Sequence, residues 1–292
     1  MKPLLAVGLR SSLSILTYPL VAASDLAFKK EGQGPGVVLI HGFGGNRDAW
    51  AEISKRLKKD HTVLSVDLPG HGGSNSIAPP LKEGVADLDA IGSEIAKLIR
   101  KQKIEPVVLV GHSIGGAIAV RVALADPKVT RGIILVDSSL APLPKVFTDK
   151  LEKDLDANAS AVLGDFFGRL CKGETQKAKL VKDALKVPVP VLKAYVRALG
   201  SDSLGARATA IQVPVTLFAS TLLIPDPTKE KESLKQLGLD GIPKLTVSYF
   251  VDAKHWIMWD DPDTFEILFN DFENNMVMGG GGGGGARTFR AF

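Results

Sequence analysis

Runs of consecutive β-branched or apolar residues recur along the chain at Gly36–Ile40, Val63–Val66, Val107–Val110, Ile133–Val136, Val213–Ser220 and Leu245–Phe250. The runs at Gly36–Ile40 and Val107–Val110 hold no polar residue and read as strands buried on both faces, as in a parallel sheet covered by helices, and the others read as further strands. Helical spacing falls between them: Trp50, Ile53 and Leu57; Leu88, Ile91, Ile95 and Leu98 within a segment from Val85 to Ile99; a stretch around Lys231 to Leu237; and a last helix through Phe272. Leu26 and Phe28, followed by Gly32-Gln33-Gly34-Pro35-Gly36, predict an opening strand and turn. This alternation predicts an α/β fold, a mostly parallel central sheet with helices on both faces. From Leu140 to about Gln212 the strand pattern stops. Lys-rich helical segments replace it, with apolar positions such as Leu151, Leu155, Val162, Phe166, Phe167, Leu170 and Leu180.

One strand-to-helix junction carries chemistry. Val107–Val110 runs into Gly111-His112-Ser113-Ile114-Gly115, and Gly116-Ala117-Ile118-Ala119 then begins a helix of small residues. A serine at such a reversal takes a strained backbone conformation that projects its hydroxyl clear of strand and helix. The helix that starts there aims its free N–H groups, that of Ile114 first, at an oxyanion formed beside Ser113. Gly-x-Ser-x-Gly is a weak motif in a Gly-rich loop. Between a buried strand and a helix it is a nucleophile elbow, with Ser113 as nucleophile.

Composition narrows the reading without redirecting it. The 292 residues suffice for one large domain with an insertion, and 45% hydrophobic with 23% charged residues is ordinary for a globular protein. The net charge of +4 is mild, and its lysines are not interleaved with arginines and aromatics, so nucleic acid is not an expected partner. Cys171 stands alone, which leaves no internal disulfide and no cysteine-based metal site. Neither a metal nor a cofactor is expected. No apolar run is long enough for a stable membrane insertion. Residues 1–24 hold no acid, carry Lys2 and Arg10, and end an apolar stretch at Val21-Ala22-Ala23, as a cleavable export signal would. An organelle transit peptide and a plain N-terminal arm compete with that reading, and export is preferred. Residues 279–292, with seven glycines from Gly279 to Gly285, are expected to be a disordered tail.

With its flanks, the elbow resembles that of the α/β-hydrolase superfamily, and further segments extend the resemblance from Asp25 to Asn275. His41-Gly42-Phe43-Gly44-Gly45 follows a strand where that family supplies its second oxyanion N–H, which the resemblance assigns to Phe43. Asp67-Leu68-Pro69-Gly70-His71-Gly72-Gly73-Ser74 matches a loop that is structural in such proteins, so His71 is not assigned to catalysis. His255, just beyond the last strand and before Trp256-Ile257-Met258-Trp259, stands where the family carries its general base. Residues 140–212 correspond to the family's helical cap, and residues 25–139 and 213–278 to its core.

The acid departs from the commoner pattern. Many relatives carry an Asp in a turn after the strand that here is Val213–Ser220, but Leu223 holds that place. Asp137, at the end of the strand that follows the elbow, is preferred because a strand fixes its position. Asp226, in Ile224-Pro225-Asp226-Pro227, is the alternative acid, and Asp252 a weaker third. Phe166 and Phe167 from the cap, His112 beside the nucleophile and Trp256 beside the base are candidate substrate-contacting residues. A serine nucleophile implies attack on a carbonyl carbon, whereas relatives that open epoxides or displace halide use aspartate. The expected activity is hydrolysis of small or medium carboxylic esters through an acyl-enzyme, with a small-molecule ester as partner. A carbon–carbon hydrolase of β-diketone-like ring-fission products, and a non-catalytic ligand-binding homologue, are the alternatives. Acyl-chain length and oligomeric state are not legible.

Overall fold

A computed structural model describes residues 26–76, 78–278 and 289–290. The expected export signal, and most of the expected glycine-rich tail, lie outside the described residues. Along the chain come β1 (Phe28–Glu31), β2 (Gly36–Ile40), α1 (Ala51–Leu57), β3 (Thr62–Val66), β4 (Leu81–Lys82), β5 (Val85–Ala86), α2 (Leu88–Gln102), β6 (Val107–His112), α3 (Ile114–Ala125) and β7 (Thr130–Val136). They are followed by α4 (Lys145–Leu170), α5 (Gly173–Ala184), α6 (Val189–Ser201), β8 (Val215–Ser220), α7 (Glu230–Gln236), β9 (Leu245–Phe250), α8 (Ile257–Asp260), α9 (Pro262–Met278) and β10 (Phe289–Arg290).

Among the described residues the main sheet has the order β1-β3-β2-β6-β7-β8-β9-β10. Only β1 runs antiparallel to its neighbour, β3. The other neighbouring pairs are parallel. Every residue of β2, β6 and β8 is buried. That is why these strands carry unbroken apolar runs: helices cover both faces of the sheet, so neither face selects polar side chains. The fold is therefore an α/β fold built on a mostly parallel sheet.

α2 and α3 pack on each other, and α1, α8 and α9 form a second group. α2 buries Leu88, Ile91, Ile95, Leu98 and Ile99 along one stripe. Its start differs from the expected one, because Val85 and Ala86 pair with Leu81 and Lys82 as a short hairpin. Asp87 then caps the helix by accepting the Ala90 N–H at 3.0 Å. α3 buries nearly its whole surface, which is why it is small and apolar apart from Arg121.

α4, α5 and α6 all lie between β7 and β8 in the chain. α4 is two helices joined at Asn158, whose backbone is extended (φ −160°, ψ 83°). The Asn158 side chain accepts the Ala161 N–H at 3.0 Å and so caps the second half. α4 packs on both α5 and α6. No helix among the described residues is long and apolar enough to cross a membrane.

Candidate active site

The junction of β6 and α3 shows what the sequence demands of it. Ser113 has φ 55° and ψ −127°, a left-handed conformation that costs an L-residue roughly 1–3 kcal/mol. The turn is tight because strand and helix approach closely: a Cβ on Gly111 would lie 2.3 Å from the Gly115 carbonyl oxygen. Ser113 N–H donates to Val136 O at 2.9 Å, tying the elbow to the adjacent strand.

The loop after β2 lies against this elbow. A Cβ on Gly42 would come within 2.9 Å of His112 Nδ1 and 3.1 Å of Ser113 Cβ, so only glycine lets the loop approach the serine so closely. The N–H groups of Phe43, next in that loop, and of Ile114, first in α3, carry no hydrogen bond among the described residues. His41 is held as a neutral ring. Its Nδ1–H donates to Gly42 O at 2.8 Å, and its Nε2 accepts the Leu68 N–H at 3.0 Å. Complete burial pushes its pKa down to about 4. The Asp67–Ser74 loop is bound up in itself. Asp67 accepts the Arg47 N–H, an Arg47 guanidinium N–H and the Gly73 N–H at 2.7–2.8 Å, and Ser74 Oγ donates to Asp67 O. His71 is buried against His41 and Tyr195, and burial pushes it down to about 3.

Asp137 ends β7 in a left-handed conformation (φ 47°). One carboxylate oxygen accepts the Ser220 N–H at 2.7 Å, and the other accepts His255 Nδ1–H at 2.7 Å. The side chain is buried, so this charge-assisted bond operates away from water. Asp226 lies elsewhere, on the surface, where its carboxylate caps a turn by accepting the Thr228 N–H and hydroxyl. Asp252 is exposed. His255 is itself held from two sides: its N–H donates to Leu170 O at 3.0 Å, and its carbonyl accepts His112 Nε2–H at 2.9 Å. His112 is fully buried and stays neutral: burial and the neighbouring His255 push its pKa far below the usual histidine value.

A cavity of about 300 Å³ gathers these groups. Ser113, His255, Asp137, Phe43 and Ile114 line it, and so do His112, Phe166, Phe167 and Trp256. Asp226 does not. Phe166 stands edge-on to Phe43 and Phe167 edge-on to Trp256, so α4 meets the loop after β2 and the loop after β9 through aromatic contacts. Sequence reasoning did not find Phe147, Leu222, Leu223 or Asp202, which also line the cavity. Leu223 lies in the turn directly after β8. Phe147 and Asp202 come from opposite ends of the inserted segment, and nothing in local spacing marks them. Among the described residues no group of His, Cys, Asp and Glu side chains is arranged to hold a metal ion.

The elbow serine, the histidine–carboxylate pair and the free N–H groups of Phe43 and Ile114 thus surround one cavity at the edge of the parallel sheet. The chain belongs to the alpha/beta hydrolase family, whose sequence profile matches residues 37–266. An uncharacterized protein of Mycobacterium tuberculosis is 37% identical over 123 residues, which make up 42% of this chain and 35% of that protein. The match thus spans only about a third of such curated relatives. A pimeloyl-acyl-carrier-protein methyl ester esterase of Aliivibrio salmonicida is 28% identical over 242 residues, covering 79% of this chain and 84% of that enzyme. Among solved structures, an esterase from Exiguobacterium antarcticum matches with a TM-score of 0.74 at 18% identity, covering 85% of this chain and 95% of that one. At that identity the likeness is one of fold.

Proposed function

We propose that this protein hydrolyses carboxylic esters through an acyl-enzyme on Ser113. The observation that carries the reading is the 2.7 Å bond from His255 Nδ1–H to the buried Asp137, in the cavity that Ser113 lines from a strained turn. With its Nδ1 proton held by Asp137, the imidazole presents an unprotonated Nε2 for the serine proton. Ser113 Oγ attacks the ester carbon as its proton passes to His255. The oxyanion lies between the N–H groups of Phe43 and Ile114, which need no reorganisation to receive it. His255 returns the proton to the departing alkoxide, and water, activated by the same imidazole, then releases the acid. The methyl ester esterase among the relatives supports an ester as the bond attacked. The mostly apolar cavity supports a small or medium acyl group.

The test uses the full chain with nitrophenyl acetate and a fluorophosphonate probe. Turnover with a burst of nitrophenol and labelling at Ser113 are expected, and Ser113→Ala should lose both. A folded protein that neither reacts with the probe nor turns over the ester overturns the assignment.

A further inference from the structure

Ser113 lies at the N-terminus of α3, and the cavity wall follows that helix inward. Ile114 and Ala117 face the cavity, and beyond them stand Leu88 at the start of α2 and Ala198, Leu199 and Asp202 at the end of α6. Among the described residues, Asp137 and Asp202 are the carboxylates in this wall. Both of its oxygens lie 2.6 Å from Arg121 Nη2. Arg121 is almost wholly buried and folds back along α3, where its Nη1–H donates to Ala117 O at 3.0 Å. Its Nε lies 3.2 Å from Asp89, whose carboxylate is in turn gripped by Arg207 at 2.8 Å. Two guanidinium groups and two carboxylates therefore cancel.

The ion pair between the buried Arg121 and the partly exposed Asp202 adds little net stability, since well-packed apolar residues of the same volume would serve as well. It does supply acceptors. A carboxylate has about four lone-pair directions, and Arg121 occupies only one on each oxygen. The remaining lone pairs are available to a donor inside the cavity. Because Arg121 balances the charge, the wall does not call for a cation, whereas a second carboxylate would face repulsion and an unmatched lone pair. Partial burial, reinforced by Asp89 and opposed by Arg121, raises the Asp202 pKa. The guanidinium reaches back to Ala117, so one to two turns of α3, roughly 5–10 Å, separate the elbow from Asp202. That is the reach of a medium acyl chain.

We infer that Asp202, held by Arg121, accepts a hydrogen bond from a hydroxyl at the far end of the acyl chain, so that the preferred substrates are esters of medium-chain ω-hydroxy acids. This rests on the ester-hydrolase reading of the same cavity. It names what that reading leaves open, the polar group opposite the reacting carbonyl.

The experiment separates binding from turnover. Ser113→Ala is titrated calorimetrically with ethyl ω-hydroxyhexanoate and with ethyl heptanoate, which differ by a hydroxyl in place of a terminal methyl. The hydroxy ester is expected to bind about 10- to 100-fold tighter. In Ser113→Ala/Arg121→Met/Asp202→Leu, where an apolar pair replaces the ion pair, that preference should vanish or reverse. Asp202→Asn in the Ser113→Ala background keeps the side-chain shape and one acceptor oxygen, and it should show an intermediate preference should the apolar variant fail to fold. Equal affinity for the two esters in Ser113→Ala, or a preference that survives the loss of Asp202, overturns the inference. Wild-type turnover of nitrophenyl acetate, too short to reach Asp202, reports separately on the hydrolytic reading.

Discussion

At the scale of single residues, the contact between Asp137 and His255 separates two carboxylates that sequence alone leaves in competition. Asp137 is buried and shared between His255 and the Ser220 N–H, whereas Asp226 is exposed and spent on Thr228. Asp137→Asn preserves the Ser220 contact through its amide oxygen but offers His255 Nδ1 an N–H donor, which favours the wrong imidazole tautomer. Turnover of nitrophenyl acetate should fall by about 10⁴-fold without loss of fold. Asp226→Asn should leave turnover within about twofold, since a surface turn cap contributes little. A large loss from Asp226→Asn alone would transfer the role. The strand-end position of Asp137 was legible in the sequence because a buried strand fixes where its last residue lies. The elbow was legible because strand, glycines and small-residue helix must coincide. Asp202 and Phe147 were not, because what places them is the packing of α4 on α6, and packing between elements leaves no local periodicity.

Between elements, the histidine loop is fastened to the inserted helices rather than to the sheet alone. Leu170 O, in the last turn of α4, accepts the His255 N–H. Asp260 accepts the Lys254 N–H at 2.8 Å with one oxygen and Gln176 Nε2–H of α5 at 2.7 Å with the other. Gln176 Oε1 in turn accepts the Lys172 N–H at 2.8 Å. The residue before His255 is thus connected through Asp260 to α5. Gln176→Ala should therefore lower kcat about tenfold while KM changes little, because a slightly misplaced base impairs proton transfer more than binding. Thermal unfolding should shift by only about the worth of one or two hydrogen bonds, about 1–2 kcal/mol. Loss of stability with an unchanged kcat would make the connection merely structural. The same elements mark the limit of sequence reading. The unbroken apolar strands and the stripe of α2 follow from burial, which composition reports directly. The hairpin at Val85–Ala86 and the break at Asn158 depend on pairing and capping that the same residues could have satisfied inside a helix.

Across the whole molecule, a partly buried ionic cluster links the two ends of the fold. His61, just before β3, donates through Nε2–H to Glu273 of α9 at 2.6 Å and through Nδ1–H to Asp60 at 2.8 Å, and Arg131 of β7 pairs with the same Glu273. The His61 ring also stands edge-on to Phe269 of α9. Burial disfavours the His61 charge, but Glu273 and Asp60 outweigh it and raise its pKa above the ordinary 6.5. Burial likewise opposes the Glu273 charge, and His61 and Arg131 outweigh it to hold the carboxyl below 4.5. A raised histidine stabilises the fold fully below pH 6.5 and loses that contribution as pH rises through its folded value. A lowered glutamate stabilises above pH 4.5 and loses its contribution as pH falls through its folded value. The cluster therefore contributes most between about pH 4.5 and 6.5. His61→Gln, which keeps neutral hydrogen bonding but cannot carry the charge, should cost about 1–3 kcal/mol in urea unfolding at pH 5.5 and distinctly less at pH 9. A cost that is the same at both pH values would mean that His61 acts by packing against Phe269 and not by its charge.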